Sequence, residues 1–364
     1  MHPQDQFCHN PTCPARGQYG QGNITIHSQQ EQRYRCTVCR RTFSARAGTP
    51  YFRGHTPEAD QTRILTLLAH GCPLAAAAVA FGYQPRTIRR WVQEAGTHCE
   101  RVQQHLVEVP RDLGQVQADE LRVRTQGGVI WVALALMVGT RLWLGGVVSP
   151  QRNYALIAAL LARVVRCAIA GPLLVAVDGL AAYVRATERA CRTPEPRAGR
   201  RGRCRLVIWP ELVIGQVVKH RLHQHLGSIE RRVVRGSAAA LAALVTASQG
   251  AGGLNTAYIE RLNGTFRDRL GALTRRTRRA ARQVGSLHAG VYLVGTVYNF
   301  CTHHASLTTQ DGRRTPAMAA GITDHCWRVS ELLHYQVPLA RWQPPQGRGR
   351  RSRAMQALID RWAA

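Results

Sequence analysis

The chain is predicted to be a multidomain α/β protein, with a small zinc ribbon at the N-terminus, a helical segment after it and a mixed-sheet domain beyond. Three observations predict this. Two close cysteine pairs, Cys8 with Cys13 and Cys36 with Cys39, open the sequence. From Glu58 to Gly96 the apolar residues recur at three- and four-residue spacing, the period of a helix face. From Val116 onward, alternating and continuous apolar runs read as strands. At 364 residues and 45% apolar content, the chain is long enough for two or three cores.

Residues 1–54 are expected to form the ribbon. Each cysteine pair suits a tight knuckle, and the chain between the pairs can return as a hairpin, which makes a tetrahedral tetrathiolate site. Four thiolates leave no open coordination position, so the expected ion is one structural Zn2+. His9 and His27 are read as surface residues. The chain has 11 cysteines, an odd count, and the seven outside the pairs show no disulfide pattern, so they read as reduced and mostly buried thiols. Arg40, Arg41 and Arg46 surround the second knuckle and are candidate phosphate contacts, the alternative being a solvated basic face.

Residues 55–110 are expected to form a helix-turn-helix domain. Gly82 ends its second helix, and Pro85 falls in the first turn of the third, where a missing N–H costs nothing. On that third helix Ile88, Trp91 and Val92 share an apolar face. Arg86, Thr87, Arg89, Arg90 and Gln93 are left outside as candidate groove contacts, unless the helices form an ordinary bundle. Pro110 and Gly114 then punctuate a polar stretch, and the main domain boundary is placed there.

Residues 111–310 are expected to hold the sheet. Val116 to Val123 alternates as a strand with Asp119 in its middle. Strands follow from Val129 to Val138 and from Leu142 to Ser149, parted by Gly139 and Thr140. Asn153 to Ala168 reads as a helix, and Leu173 to Val177 as a short buried strand ending at Asp178. Asp119, Asp178 and Glu260 are the candidate catalytic trio, since converging carboxylates hold two Mg2+ or Mn2+ ions for phosphoryl transfer. Glu120 alternates to the other strand face and is expected outside the site. On the helix carrying Glu260, at about 100° per residue, Asn263 and Arg267 share its face, and Tyr258, Leu262, Phe266 and Leu273 cover the opposite one. Asn263 and Arg267 are therefore supporting candidates, able to orient Glu260 or hold a phosphate, the alternative being a solvated helix face. Asn255 is the expected N-cap.

Glu230 and Asp268 rank below Glu260 as the third acid. KHRLHQH, with His220, His223 and His225, reads as a basic strand or turn rather than a second metal site. A basic Pro/Gly-rich insertion lies near 191–209, and RRTRRAAR, which includes Arg275 and Arg276, reads as a phosphate-binding stripe. Residues 311–364 are expected to be a C-terminal basic extension, disordered over 341–353 and ending in a short helix.

Charge names the class of partner. The chain carries 49 Lys+Arg against 21 Asp+Glu, a net charge of +28, which attracts a polyanion from many orientations. Lys219 is its single lysine. No apolar run reaches roughly 18 residues, and the N-terminus lacks the charged-then-apolar order of a secretory signal. The expected setting is cytoplasmic and nucleoid-associated, with double-stranded DNA as partner and no membrane.

Three strands, a helix and a strand, with acids on the first and fourth strands and a later helix, resemble the ribonuclease-H-like fold. RYRCTVCRRTFSARAGTPYF, the helix-turn-helix, ADE, VDGLAAYV and YIERLNGTFRDRLGALTRRTRR together resemble the DDE transposases of bacterial insertion sequences, particularly the insertion-sequence-one group. The likeness runs from about Cys8 to His304 and continues weakly through TPAMAAGI. It implies magnesium-dependent cleavage at an element's ends and attack of the freed 3′ hydroxyl on target DNA. It also implies Asp119, Asp178 and Glu260 as the metal-binding triad, ends held by the ribbon and helix-turn-helix, and a homo-oligomer on DNA. The competing readings are a transposase-derived regulator without activity and a plain nuclease.

Overall fold

The computed structural model describes residues 2–125, 128–195, 203–222, 225–274, 283–346 and 349–363. The architecture is mixed α/β and divides into two compact units, one of Met1–Glu58 with Leu333–Ala364 and one of Ala59–Leu332.

In the first unit, strands β1 (Ile24–Ser28), β2 (Arg33–Cys36) and β3 (Thr42–Ser44) form an antiparallel sheet. The alternation of β2 buries Tyr34 and Cys36 and turns Arg35 outward. A tight turn follows, with Cys36 N–H donating to Arg41 O at 3.0 Å and Arg40 N–H to Cys36 O at 2.8 Å. The small core gathers Cys8, Cys13, Ala15, Ile24, Tyr34 and Cys36, and Trp362 joins it from far along the chain. Trp362 closes a C-terminal helix, Arg353–Trp362, whose start is capped by the Ser352 hydroxyl accepting from Met355 N–H at 3.2 Å. Gln18 Nε2 donates to Trp362 O at 2.7 Å. The terminal helix thus belongs to the core of this first unit, because so short a module has too few apolar residues to close a core alone. His9 is a correction to the sequence reading. Its ring sits between Phe7, at 4.6 Å, and Phe43, at 5.1 Å, and burial lowers its pKa to about 4.

The second unit opens with α1 (Glu58–Ala69), α2 (Leu74–Phe81) and α3 (Pro85–Leu106). Gly82 follows α2 at φ +71°, a left-handed conformation that glycine adopts without a Cβ penalty. The gap expected through residues 98–114 begins later than the sequence suggests. The polar-looking stretch past Gly96 continues the helix, because Cys99, Val102 and Gln103 extend the buried stripe begun by Ile88, Trp91 and Ala95.

Strands β4 (Gly114–Arg124), β5 (Val129–Met137) and β6 (Trp143–Ser149) come next, then helix α4 (Tyr154–Cys167), strand β7 (Leu173–Asp178) and helix α5 (Ala181–Ala190). A small pair, β8 (Arg192–Pro194) and β9 (Leu206–Ile208), frames the insertion, of which residues 196–202 lie outside the described residues. The long hairpin of β10 (Leu212–Leu222) and β11 (His225–Arg235) follows, then helices α6 (Ala238–Gln249), α7 (Ala257–Arg269) and α8 (Val284–Cys301).

Six strands form one mixed sheet in the order β11-β10-β7-β4-β5-β6. β4, β5 and β6 are an antiparallel meander, while β7 runs parallel to β4 and β10 parallel to β7. Parallel neighbours need crossover connections, and α4 supplies the one from β6 to β7. Strand alternation then sorts the two faces. Val175, Val177 and Ile214 turn into the core with α4 and α5, whereas Leu174, Ala176 and Val217 pack with Val245 of α6. On the second face α3 lies against α8, and Gly96 permits the approach: a Cβ there would fall 2.3 Å from Ala289 O.

Candidate active site and cysteine cluster

The sheet register brings the first two acids together. Gln117 of β4 pairs with Ala176 of β7, and each acid lies two residues further on, so Asp119 and Asp178 share one face at the same level. Their carboxylates and that of Glu120 all lie within 4.8 Å of one another. Asp119 and Asp178 open onto a cleft of about 670 Å3 whose walls include Arg152, Lys219, Glu260, Asn263 and Arg267. Glu260 stands on the wall of this cleft, outside the tight acid cluster.

Glu120 corrects the sequence reading, which excluded it on strand parity. Its side chain is 1% exposed and does start from the opposite face, but the carboxylate ends beside the other two. There Tyr183 OH donates to it at 2.9 Å and Arg152 Nε at 2.6 Å. Arg152 also reaches Asp178 Oδ2 at 3.7 Å, so Glu120 anchors a guanidinium at the mouth of the site.

Asp119 carries the electrostatic signature. Burial comes first, and the charges of Glu120, Asp178 and Glu260 add to it, raising its pKa to about 7. Asn263 Nδ2 donates to Asp119 Oδ2 at 2.7 Å, and the Glu120 N–H donates to Oδ1 at 2.9 Å. Asn263 is buried on α7 and bonds Asp119, not Glu260. Glu260 is held separately. Burial works to raise its carboxyl, but hydrogen bonds from Lys219 Nζ and Thr256 Oγ1 outweigh it and hold the group below its usual value.

Gln117 sets the height of α7. Its Nε2 donates to Asn255 O at 2.7 Å and its Oε1 accepts from Ile259 N–H at 3.0 Å, so the helix start is gripped from the strand. The N-cap position is Thr256, one residue past the expected Asn255, although Asn255 Oδ1 still accepts from Ala257 N–H at 3.1 Å. Sequence reasoning missed Gln117, Arg152, Tyr183, Lys219 and Thr256. Only two left a signal: Gln117 stands two residues before Asp119 on one strand face, and Lys219 is the lone lysine.

Of the remaining candidates, Glu230 is engaged by Arg232 and His220 on the β10–β11 hairpin, and Asp268 is exposed. On α3, Arg86, Arg89, Arg90 and Gln93 are exposed and Thr87 is half-buried, with Arg90 Nε 3.7 Å from Glu94. Arg40 and Arg41 are exposed, and Arg46 is paired with Glu58. Arg275 and Arg276 lie outside the described residues.

In the first unit the sulfurs of Cys8, Cys13, Cys36 and Cys39 lie within 4.8 Å of one another. Cys8 and Cys39 are 3.6 Å apart, and Cys13 and Cys36 are 3.9 Å apart. Burial pushes the Cys8 thiol up and takes Cys13 to about 12. Cys39 is also penalised by burial, but the Arg41 N–H and the Asn10 side chain bring it down to about 7. This is the donor set that a tetrahedral zinc ion takes. Of the seven other cysteines, Cys99, Cys167 and Cys191 are buried and Cys204 is exposed.

No protein-family model matches this chain, and no curated protein matches it. Among the described residues no helix is long and apolar enough to cross a membrane.

Proposed function

We propose that the chain is a DDE-type DNA transposase: it cleaves the ends of a mobile element and joins the 3′ hydroxyls to target DNA by metal-dependent phosphoryl transfer. The observation that carries this reading is the convergence of Asp119 and Asp178, from neighbouring parallel strands, on a cleft whose wall holds Glu260. The strand order, numbering β4, β5, β6, β7 and β10 from one to five, runs 3-2-1-4-5 and supports a ribonuclease-H-like assignment. Helices α1 to α3, with arginines outside α3, support DNA binding by a helix-turn-helix, and the cysteine cluster supports a zinc ribbon.

The acid cluster fits hard divalent cations. Its donors are all oxygens, and the negative charges that add to burial in raising Asp119 are the charges Mg2+ or Mn2+ neutralises. Such ions, when bound, supply activation of the attacking oxygen and stabilisation of the leaving one. Asp119 and Asp178 would hold them, with Glu260 available from the wall. Asn263 fixes the rotamer of Asp119, and Gln117 fixes α7 relative to β4. Arg152 and Arg267 offer positive charge to the phosphate oxygens on the cleft side. Glu120, spent on Arg152 and Tyr183, acts as an anchor.

The test uses purified protein and labelled DNA ends. Strand transfer is expected with magnesium or manganese, and Asp178→Asn is expected to abolish it while DNA binding persists. Transfer retained in that variant sinks the assignment, and wild-type binding without any cleavage favours a regulator. Short inverted repeats flanking the gene are expected from an element and from neither rival.

A further inference from the structure

Away from the carboxylates, cationic side chains gather around one tyrosine. The turn between β5 and β6 carries Arg141 at φ +59°, and the Tyr298 hydroxyl of α8 donates to its carbonyl oxygen at 3.1 Å. The Arg141 guanidinium lies over the Tyr258 ring, 4.1 Å from its centroid, and donates to Val138 O. Arg261 is exposed one turn after Tyr258 on α7. Arg269, from the last turn of α7, reaches Thr302 Oγ1 at 3.3 Å, and His304 meets the Tyr298 ring edge-on at 6.2 Å. A strand turn, α7 and the end of α8 thus deliver four cationic or protonatable groups to one place, and none of the four lines the carboxylate cleft.

Like charges held together need an explanation. Among the described residues none of the four forms an ion pair, and Asp268 acts on Arg269. Burial first, with Arg261 adding to it, holds the Arg141 guanidinium below its usual value. Burial first, then Arg141 and Arg261, lowers His304. The part-buried guanidiniums of Arg141 and Arg269 carry a desolvation cost that an arriving anion offsets. Guanidinium forks match phosphate oxygens in shape as well as charge.

We propose that Arg141, Arg261, Arg269 and His304 form a phosphate-binding site separate from the carboxylate cleft. The phosphate is either a diester of the DNA backbone, which rests on the function proposed above, or a free phosphate ion, which does not.

Two measurements on the full zinc-loaded chain separate these sources, comparing wild type with Arg261→Gln, Arg269→Gln, their double variant and Arg189→Gln, an exposed arginine of α5. In the first, anisotropy of a generic labelled duplex is followed against salt. Each cluster substitution is expected to reduce the log–log salt slope by about 0.9, the value of one lost phosphate contact. In the second, the melting temperature in inorganic phosphate is compared with that in chloride at equal ionic strength, which also reports whether each variant folds. A rise in the wild type that is missing from the double variant, with the DNA slope unchanged, assigns the site to free phosphate. A double variant indistinguishable from Arg189→Gln in both measurements overturns the site. Neither measurement reads strand cleavage, so failure of the transposase reading leaves this result standing on its own.

Discussion

At the scale of single residues, Asp119 sets a stability trend with a definite sign. Its folded pKa of about 7 lies above the roughly 3.9 of an unfolded aspartate, so the folded state binds its proton more tightly. The favourable contribution is present below about pH 4 and is lost as the pH rises through about 7, a swing on the order of 4 kcal/mol. Asp119→Asn should therefore exceed wild type in urea stability near neutrality in magnesium-free buffer, with the gap closing toward about pH 4. A gap that does not vary with pH would falsify this role for the buried carboxyl. Asp119 and Asp178 were legible in the sequence because strand ends and apolar runs mark themselves. The partners of Glu260 were not: Lys219 lies 41 positions away on a strand whose register no local pattern reveals. Glu120 was misjudged for a related reason, since strand parity fixes where a side chain begins and not where a long one ends.

At the scale of elements, β4 to β7 with α4 were read almost to the residue, because buried strands and an Asn-capped amphipathic helix carry their own period. The extension of α3 was hidden. His98 and Gln103 are both fully buried, and polar residues inside a helix-packing stripe look like a linker until their partners are known. Gln103 Nε2 donates to Trp143 O at 3.0 Å and His98 Nε2 lies 3.0 Å from Leu332 O, which offsets part of the cost of burying them. The contact of α3 with α8 makes a sharp demand at Gly96. Gly96→Ala forces its methyl against the Ala289 backbone and should cost about 1–3 kcal/mol of stability, read as a lower urea midpoint. An unchanged midpoint would mean that the two helices part without penalty.

At the scale of the molecule, the first unit is discontinuous in sequence, with Ala59–Leu332 lying between its two pieces. Trp362 is 3% exposed among the cysteines and Ile24, so Trp362→Ala should remove about 3–5 kcal/mol from that unit. With both proteins loaded with zinc, release to a colorimetric chelator is the measurement, and the variant should give up the ion at lower chelator concentration than wild type. Equal release would show that the helix is a passenger. The sequence suggests a cationic extension ending in a short helix but not where that helix docks, because one tryptophan after a run of arginines does not announce which core it completes.

The same arrangement imposes an order on biosynthesis. The four thiols are translated before the intervening unit, and the tryptophan that seals their core only after it. Throughout the making of the intervening sheet unit, the nascent knuckles stand with an open apolar side. A chain that stops anywhere between Cys39 and Trp362 therefore carries a flaw in a unit it has already begun.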